Sequence, residues 1–475
     1  MRAEKRIKSK ALKTKRSKIE GSPSPTPSSN DFKMVITDEM QYFLDLVDQF
    51  CDCIFLTGKA GTGKSSLLHH LLKTTTRNVV VAAPTGVAAV NVGGVTLHSL
   101  FQLPFGPYMP NIDVLGQTHD ALDSYKFSDS KKDIIRNMDL LVIDEVSMLR
   151  ADVLDAMNDV LCHVRRNSNP FGGVQVVFIG DLYQLPPVVK PSEWNTISSV
   201  YETPYFFSAI ALRHVSLKLV SLSHVFRQSD ELFISLLNEV RSGQLSESSL
   251  SLLGSLTKSN FKLSPEYNDY IMLTSHNAIA DNVNRARLSE LQAQQSVYTA
   301  SVQGNFNSSA MPADCELTLK IGAKVMILAN DNETHLYHNG SIGIVTSLKR
   351  HSVYVRLDDS GLEIEISKHK WTNNFYNYNK ASKRIEVVES GSFSQLPLRL
   401  AWAVTIHKSQ GMTFDKLVID AERSFISGQV YVALSRATGI EHLILSSPIR
   451  LESLRVEDQI LNFYNTLNGS NGHII

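Results

Sequence analysis

The sequence predicts an α/β protein with two parallel-sheet domains and a small antiparallel β-barrel inserted in the second. Three observations carry this expectation. Buried-type apolar runs alternate with helix-like or polar stretches over residues 34–204. A second such series covers about 205–317 and resumes at 398–475. Between them, over 318–397, the pattern changes to short segments of strict apolar/polar alternation separated by turn residues.

In chain order, residues 1–30 hold nine Lys and Arg against two Glu and run into Ser22-Pro-Ser-Pro-Thr-Pro-Ser-Ser-Asn30, so 1–33 reads as a disordered basic tail. That tail is read as an arm for phosphate backbones, as a sorting signal or as a solvated extension. Thr37-Asp38-Glu39-Met40-Gln41 has the form of an N-cap opening an amphipathic helix to about Phe50. Cys51–Leu56 reads as a buried strand and Ser66–Thr74 as the helix after it; Asn78–Ala83, Leu140–Ile143 and Val174–Ile179 supply further strands. Lys416–Asp420 and His442–Leu445 read as strands of the second sheet. In the insert, Lys324–Leu328, Ser341–Val345, Ser352–Arg356, Leu362–Ile366 and Arg384–Val388 alternate, with turns at Asn330-Asp-Asn and Asn339-Gly340.

At 475 residues and 43% hydrophobic content the chain has room for about three domains with full cores. It has no run of about 18 apolar residues and no apolar secretory core near its first residue, which predicts an intracellular protein without a membrane span. Cys51, Cys53, Cys162 and Cys315 make neither a disulfide framework nor a zinc site and are expected to be reduced. The zero net charge hides an asymmetry, because the chain beyond residue 30 carries 38 basic against 45 acidic residues. A nucleic-acid partner therefore has to be argued from local sites.

The strongest chemical signal is Gly58-Lys-Ala-Gly61-Thr62-Gly63-Lys64-Ser65, the spacing GxxxxGK[ST] between a strand and a helix. Its glycines let backbone N–H groups cradle phosphates, Lys64 reaches the terminal phosphates and the Ser65 hydroxyl suits Mg2+. Leu140–Ile143 delivers Asp144-Glu145 to the sheet edge: Asp144 suits Mg2+, and Glu145 is placed to orient or deprotonate an attacking water. The strand before Gly180-Asp181-Leu-Tyr-Gln184-Leu-Pro-Pro187 places an amide where it can sense a γ-phosphate, although taken alone that segment reads rather as a Pro-rich turn.

Together these segments resemble motifs of superfamily-one helicases: Asp144-Glu-Val-Ser-Met148 is similar to motif II and Gly180–Pro187 to motif III. Thr37–Gln41 resembles the Q motif, Ala83-Pro-Thr-Gly-Val-Ala-Ala89 motif Ia, Val225-Phe-Arg227-Gln228 motif IV, Val404–Gly411 motif V and Val430–Ala437 motif VI. Within that superfamily, Ser147–Asp155 continuing to Arg165-Arg166, and Gln395–Trp402, resemble the petite-integration-frequency helicases, a 5′-to-3′ group related to RecD. The resemblance implies two RecA-like domains with a Src-homology-3-like barrel in the second, and an ATP- and Mg2+-dependent DNA helicase translocating 5′ to 3′. Its implied partners are single-stranded and forked duplex DNA, with no membrane and a monomer in solution. The implied location is the bacterial cytoplasm and nucleoid, or a eukaryotic nucleus or mitochondrion.

Residue by residue, the resemblance implies that Gln41 reads the adenine edge and that Gly58, Gly61, Thr62, Gly63, Lys64, Ser65, Ser66 and Gly411 line the nucleotide. Ser65 and Asp144 would hold Mg2+; Lys64, Asp144, Glu145 and Gln184 would serve hydrolysis, with Arg227 and Arg436 as arginine fingers. Pro84, Thr85, His98, Ser99, His407 and Lys408 fall where such helicases contact single-stranded DNA, although the two histidines also have packing or capping readings. Phe101–Tyr108 reads as an apolar loop beside the strand or the fork, or as a buried structural loop. The same motifs would serve a DNA-stimulated translocase that remodels protein–DNA complexes without processive unwinding. A nucleotide-regulated scaffold would be expected to lack Lys64, Glu145 or the arginines, and a small-molecule phosphotransferase leaves motifs IV to VI unexplained.

Overall fold

The computed structural model describes residues 35–103, 106–110, 127–213, 215–226, 228, 230–258, 261, 264–306, 311–331, 334–420 and 428–469. Strands β1 (Cys53–Gly58), β2 (Val79–Ala83), β3 (Val95–Thr96), β4 (Leu140–Ile143), β5 (Gln175–Ile179) and β6 (Leu217–Leu222) form one sheet in the order β3-β2-β4-β5-β1-β6. Every pairing in it is parallel. Strands β1, β4 and β5 are buried along their whole length, as expected of a sheet covered on both faces. The helix Asp38–Asp48 is capped by Thr37, whose Oγ1 accepts from the Met40 N–H at 3.4 Å. Strand β6 pairs with β1 from Cys53↔Leu217 to Gly58↔Leu222, so this sheet extends past residue 204, where the sequence reading ended the first domain.

Further along lie β7 (Ile271–Thr274), β8 (Gln295–Thr299), β9 (Ser301–Gly304), β10 (Glu316–Lys320), β11 (Lys324–Ile327), β12 (Ile342–Leu348), β13 (Ser352–Leu357), β14 (Glu363–Ser367), β15 (His369–Asn379), β16 (Arg384–Gln395), β17 (Leu398–Leu400), β18 (Ala403–Thr405), β19 (Leu417–Ile419) and β20 (Leu443–Leu445). The second parallel sheet runs β18-β7-β19-β20. Between its strands the chain makes an antiparallel five-stranded sheet, β14-β13-β12-β11-β17, around Val325, Ile327, Val345, Val353, Val355, Ile364, Ile366 and Leu398. The β8–β10 ladder adds Tyr298, Leu317 and Leu319 to this core, so the insert's packing begins before residue 318.

The sequence reading gave no strand over His369–Asn379 and ended the next at Val388. The structure instead has the long hairpin β15–β16, joined by β9. Its first arm mixes four Asn, which strands disfavour, with Trp371, Thr372, Phe375, Tyr376 and Tyr378, which they favour, so pairing and docking decide its conformation. The hairpin reaches the first sheet, where the buried Tyr376 hydroxyl accepts from Val81 N–H at 2.9 Å and lies 3.3 Å from Val81 O. Strand β2 is paired with β4 over Val79–Ala82 but with β3 only at Ala82 and Ala83, which leaves this edge of Val81 for the tyrosine.

The helix Asp458–Gly469 departs from its sequence assignment to the second domain, because its apolar face fits the first. Ile460, Phe463 and Leu467 are buried in the first sheet's core, and Phe463 stacks on Phe207 with centroids 4.4 Å apart. Tyr464 stacks on Tyr183, and its hydroxyl is 3.0 Å from Thr57 Oγ1. All four cysteines are free, and no described helix is long and apolar enough to cross a membrane.

Candidate nucleotide cleft and nucleic-acid interface

Strand β1 ends at Gly58, where a Cβ would lie 2.7 Å from Thr62 Oγ1 and 2.9 Å from Leu222 O, closer than a side chain tolerates. The loop then turns through Gly61 and Gly63, at φ 79° and 83°, into the helix Lys64–Thr74. Thr62 Oγ1 donates to Lys59 O at 2.9 Å, closing the loop on itself. Lys64 Nζ donates to Gly58 O at 2.7 Å and Lys59 O at 3.0 Å, while Ser65 and Ser66 are exposed on the first helical turn. Burial pushes the Lys64 pKa down, opposed by Asp181 and Glu145.

Across the sheet edge, Asp144 closes β4 and accepts from the Glu145 N–H at 2.9 Å. Burial raises the Asp144 pKa, and burial together with the Asp144 charge raises Glu145 to about 7. Glu145 is held at φ 54°, a left-handed conformation uncommon for a residue with a side chain. Two adjacent carboxylates with Lys64 as a nearby cation form a hard-oxygen site short of positive charge, which with the Ser65 hydroxyl fits Mg2+. Among the described residues no set of three or more His, Cys, Asp or Glu is arranged to hold a metal.

The second domain supplies the opposite wall. Tyr431 OH accepts from the Ala60 N–H of the phosphate loop at 3.2 Å, and the Phe226 N–H donates to Gly61 O at 2.9 Å. Gly428, at φ 80°, opens the helix Gln429–Leu434; a Cβ there would fall 2.2 Å from Gln184 O, so glycine sets how closely this helix approaches. Arg241 grips the buried Asp181 with Nη2–Oδ1 2.9 Å and Nε–Oδ2 3.2 Å. Gln410 Nε2 donates to Glu145 Oε2 at 2.9 Å and lies 3.4 Å from Gln184 Oε1. Gly411, at φ 82°, turns the chain immediately afterwards.

Thus Lys64, Asp144, Glu145 and Gln184 are brought together. Arg436 is 1% exposed and feels Glu145 electrostatically, but its Nε donates to Val432 O, Nη1 to Met412 O and Nη2 to Ser435 Oγ. Gln41 is exposed and its amide donates to Asp45 at 2.8 Å; its neighbour Met40 packs beside Gly63 instead. Arg227 lies outside the described residues, as do residues 104–105 of the apolar loop. Sequence reasoning missed Gln410, Arg241, Tyr431 and Tyr464. Gln410 carried a signal in its place between His407-Lys408 and Gly411, and Tyr431 in its place within Val430–Ala437.

The nucleic-acid candidates sit on loops after parallel strands. Thr85 follows β2 and caps the helix Gly86–Asn91, Oγ1 accepting from Ala88 N–H at 3.2 Å, with Pro84 before it. Thr96 likewise caps Leu97–Phe101, which carries His98 and the exposed Ser99. His407 and Lys408 lie on the short turn after β18, accessible at the surface but partly hemmed in by their neighbours. Partial desolvation lowers the pKa of both histidines, His98 also feeling Arg150. Lys408, its pKa lowered by burial and then by Arg399, lines a cavity of about 610 Å³ with Arg399, Asn284 and Arg285.

Residues 36–250 match the family model described as PIF1-like helicase. The ATP-dependent DNA helicase Pif1 of Campylobacter jejuni is 30% identical over 88% of this chain and 95% of its own length. The human ATP-dependent DNA helicase PIF1 is 34% identical over 87% of this chain but only 61% of that longer protein. The crystal structure of Bacteroides sp Pif1 with ADP-AlF4 superposes with a TM-score of 0.85 at 39% identity, covering 92% of this chain and 99% of that one. Bacteroides Pif1 bound to ssDNA, at 39% identity and 93% and 99% coverage, gives a TM-score of 0.65.

Proposed function

The chain belongs to the PIF1-like helicase family and is an ATP-dependent DNA helicase, and from that premise we propose how its residues turn hydrolysis into movement. The loop Gly58–Ser65 cradles the phosphates of ATP, with Lys64 leaving Gly58 O and Lys59 O to pair with the terminal phosphates. Glu145 accepts the proton of the attacking water, Gln184 reads the γ-phosphate, and Arg436 with Arg227 neutralises charge on the transferring group. Ser65 and Asp144 would hold Mg2+, which would supply further charge neutralisation. Gln41 and Gly411 flank the nucleotide, with Thr62 and Ser66 completing its cradle.

The observation that supports this reading is the approach of Glu145, Gln184 and Gln410 within one hydrogen-bonded group from two α/β domains. Closure around ATP and opening after hydrolysis then alternate the grip of Pro84, Thr85, His98 and Ser99 with that of His407 and Lys408. Hydroxyl and imidazole groups hold phosphates without a strongly basic face, which suits the acidic composition of the core. We further infer a first domain running to about residue 222, a Src-homology-3-like insert, and a monomer as the working unit. Movement is 5′ to 3′ on single-stranded DNA. Unwinding of 5′-tailed against 3′-tailed duplexes with ATP tests it: opening of the 5′-tailed substrate alone is expected, and preferential opening of the 3′-tailed one overturns it.

A further inference from the structure

We propose that Gln410 restrains Glu145 until DNA engages the turn that carries it, a role that rests on the reading of Glu145 as the group that activates water. One NH2 group holds both partners: it donates to Glu145 Oε2 at 2.9 Å and faces Gln184 Oε1 at 3.4 Å. These are the two side chains that must turn toward the water and the γ-phosphate. An amide donor on a carboxylate oxygen occupies a lone pair and fixes the direction in which that carboxylate faces.

The donor's position couples it to DNA. Gln410 is the residue directly after the turn His407–Ser409, whose first two side chains are exposed while Ser409 is buried, its Oγ donating to Ile406 O at 2.8 Å. A phosphate drawing on His407 or Lys408 therefore pulls on the turn that Ser409 pins, and the residue after that turn carries the amide. The chain superposes on unliganded Bacteroides sp Pif1 with a TM-score of 0.83 and on Bacteroides Pif1 bound to ssDNA with 0.65.

Steady-state ATP hydrolysis by Gln410→Met, with and without a saturating oligothymidylate, tests the restraint; methionine keeps the side chain's length and removes the donor. One hydrogen bond to a charged group predicts a DNA-independent rate raised roughly tenfold. The DNA-saturated rate should change less than about twofold, so the stimulation ratio collapses. Gln410→Ala, checked for an unchanged thermal midpoint, should behave alike. A basal rate that stays the same or falls in both variants overturns the restraint. Glu145→Gln run alongside separates the two ideas: surviving turnover there overturns the role of Glu145 itself, whereas an inactive Glu145→Gln beside an unmoved Gln410→Met overturns the restraint alone.

Discussion

Two demands compete at Arg436. A finger must offer its fork to phosphate, yet all three of its donor nitrogens are bonded to Val432 O, Met412 O and Ser435 Oγ inside the second domain. Lysine can keep the charge but not the planar fork. Arg436→Lys should therefore lower kcat by roughly 10³ or more if the fork serves the transferring phosphoryl group. A parallel thermal melt checks the fold, and a shifted melt with retained kcat would mark a structural arginine. At this scale the sequence is legible where contiguous spacing shapes the backbone, as in the glycine turns of Gly58–Ser65 and the strand that ends at Asp144-Glu145. It fails at Gln410 and Arg241, because their partners Glu145 and Asp181 come from the other domain and no local pattern records the meeting.

Strand β4 is legible residue for residue, because a strand buried on both faces must be apolar throughout, and Leu140–Ile143 is. Its opposite is β15, where four Asn interrupt Trp371, Thr372, Phe375, Tyr376 and Tyr378, so that local preference is divided and pairing with β16 decides. The hairpin has a measurable function in the fold, since Tyr376 stands in for the neighbour that the two-residue strand β3 does not supply to Val81. Tyr376→Phe keeps the ring and removes the hydroxyl, leaving the Val81 N–H buried without its acceptor. We expect a loss of about 1–3 kcal/mol in urea unfolding, with faster amide exchange at Val81. Unchanged exchange there would show that the contact is dispensable.

At the scale of the molecule, the helix Asp458–Gly469 ties sequence that follows the second sheet to the core of the first. Phe463 is buried against Phe55, Phe206 and Phe207. Phe463→Ala should cost about 3–5 kcal/mol. Hydrogen exchange should rise in β1 and β6 and leave β19 and β20 protected; the reverse distribution would contradict the packing. This return was not legible in the sequence, because an amphipathic helix records that it has an apolar face and not which core receives it.

The chain therefore passes between the two α/β bodies twice, once after β6 and once before that last helix. A second crossing shortens the tether: when the contacts of the cleft let go, the two bodies are still joined at two places along the chain, so neither can drift from the other as a bead on a single string would.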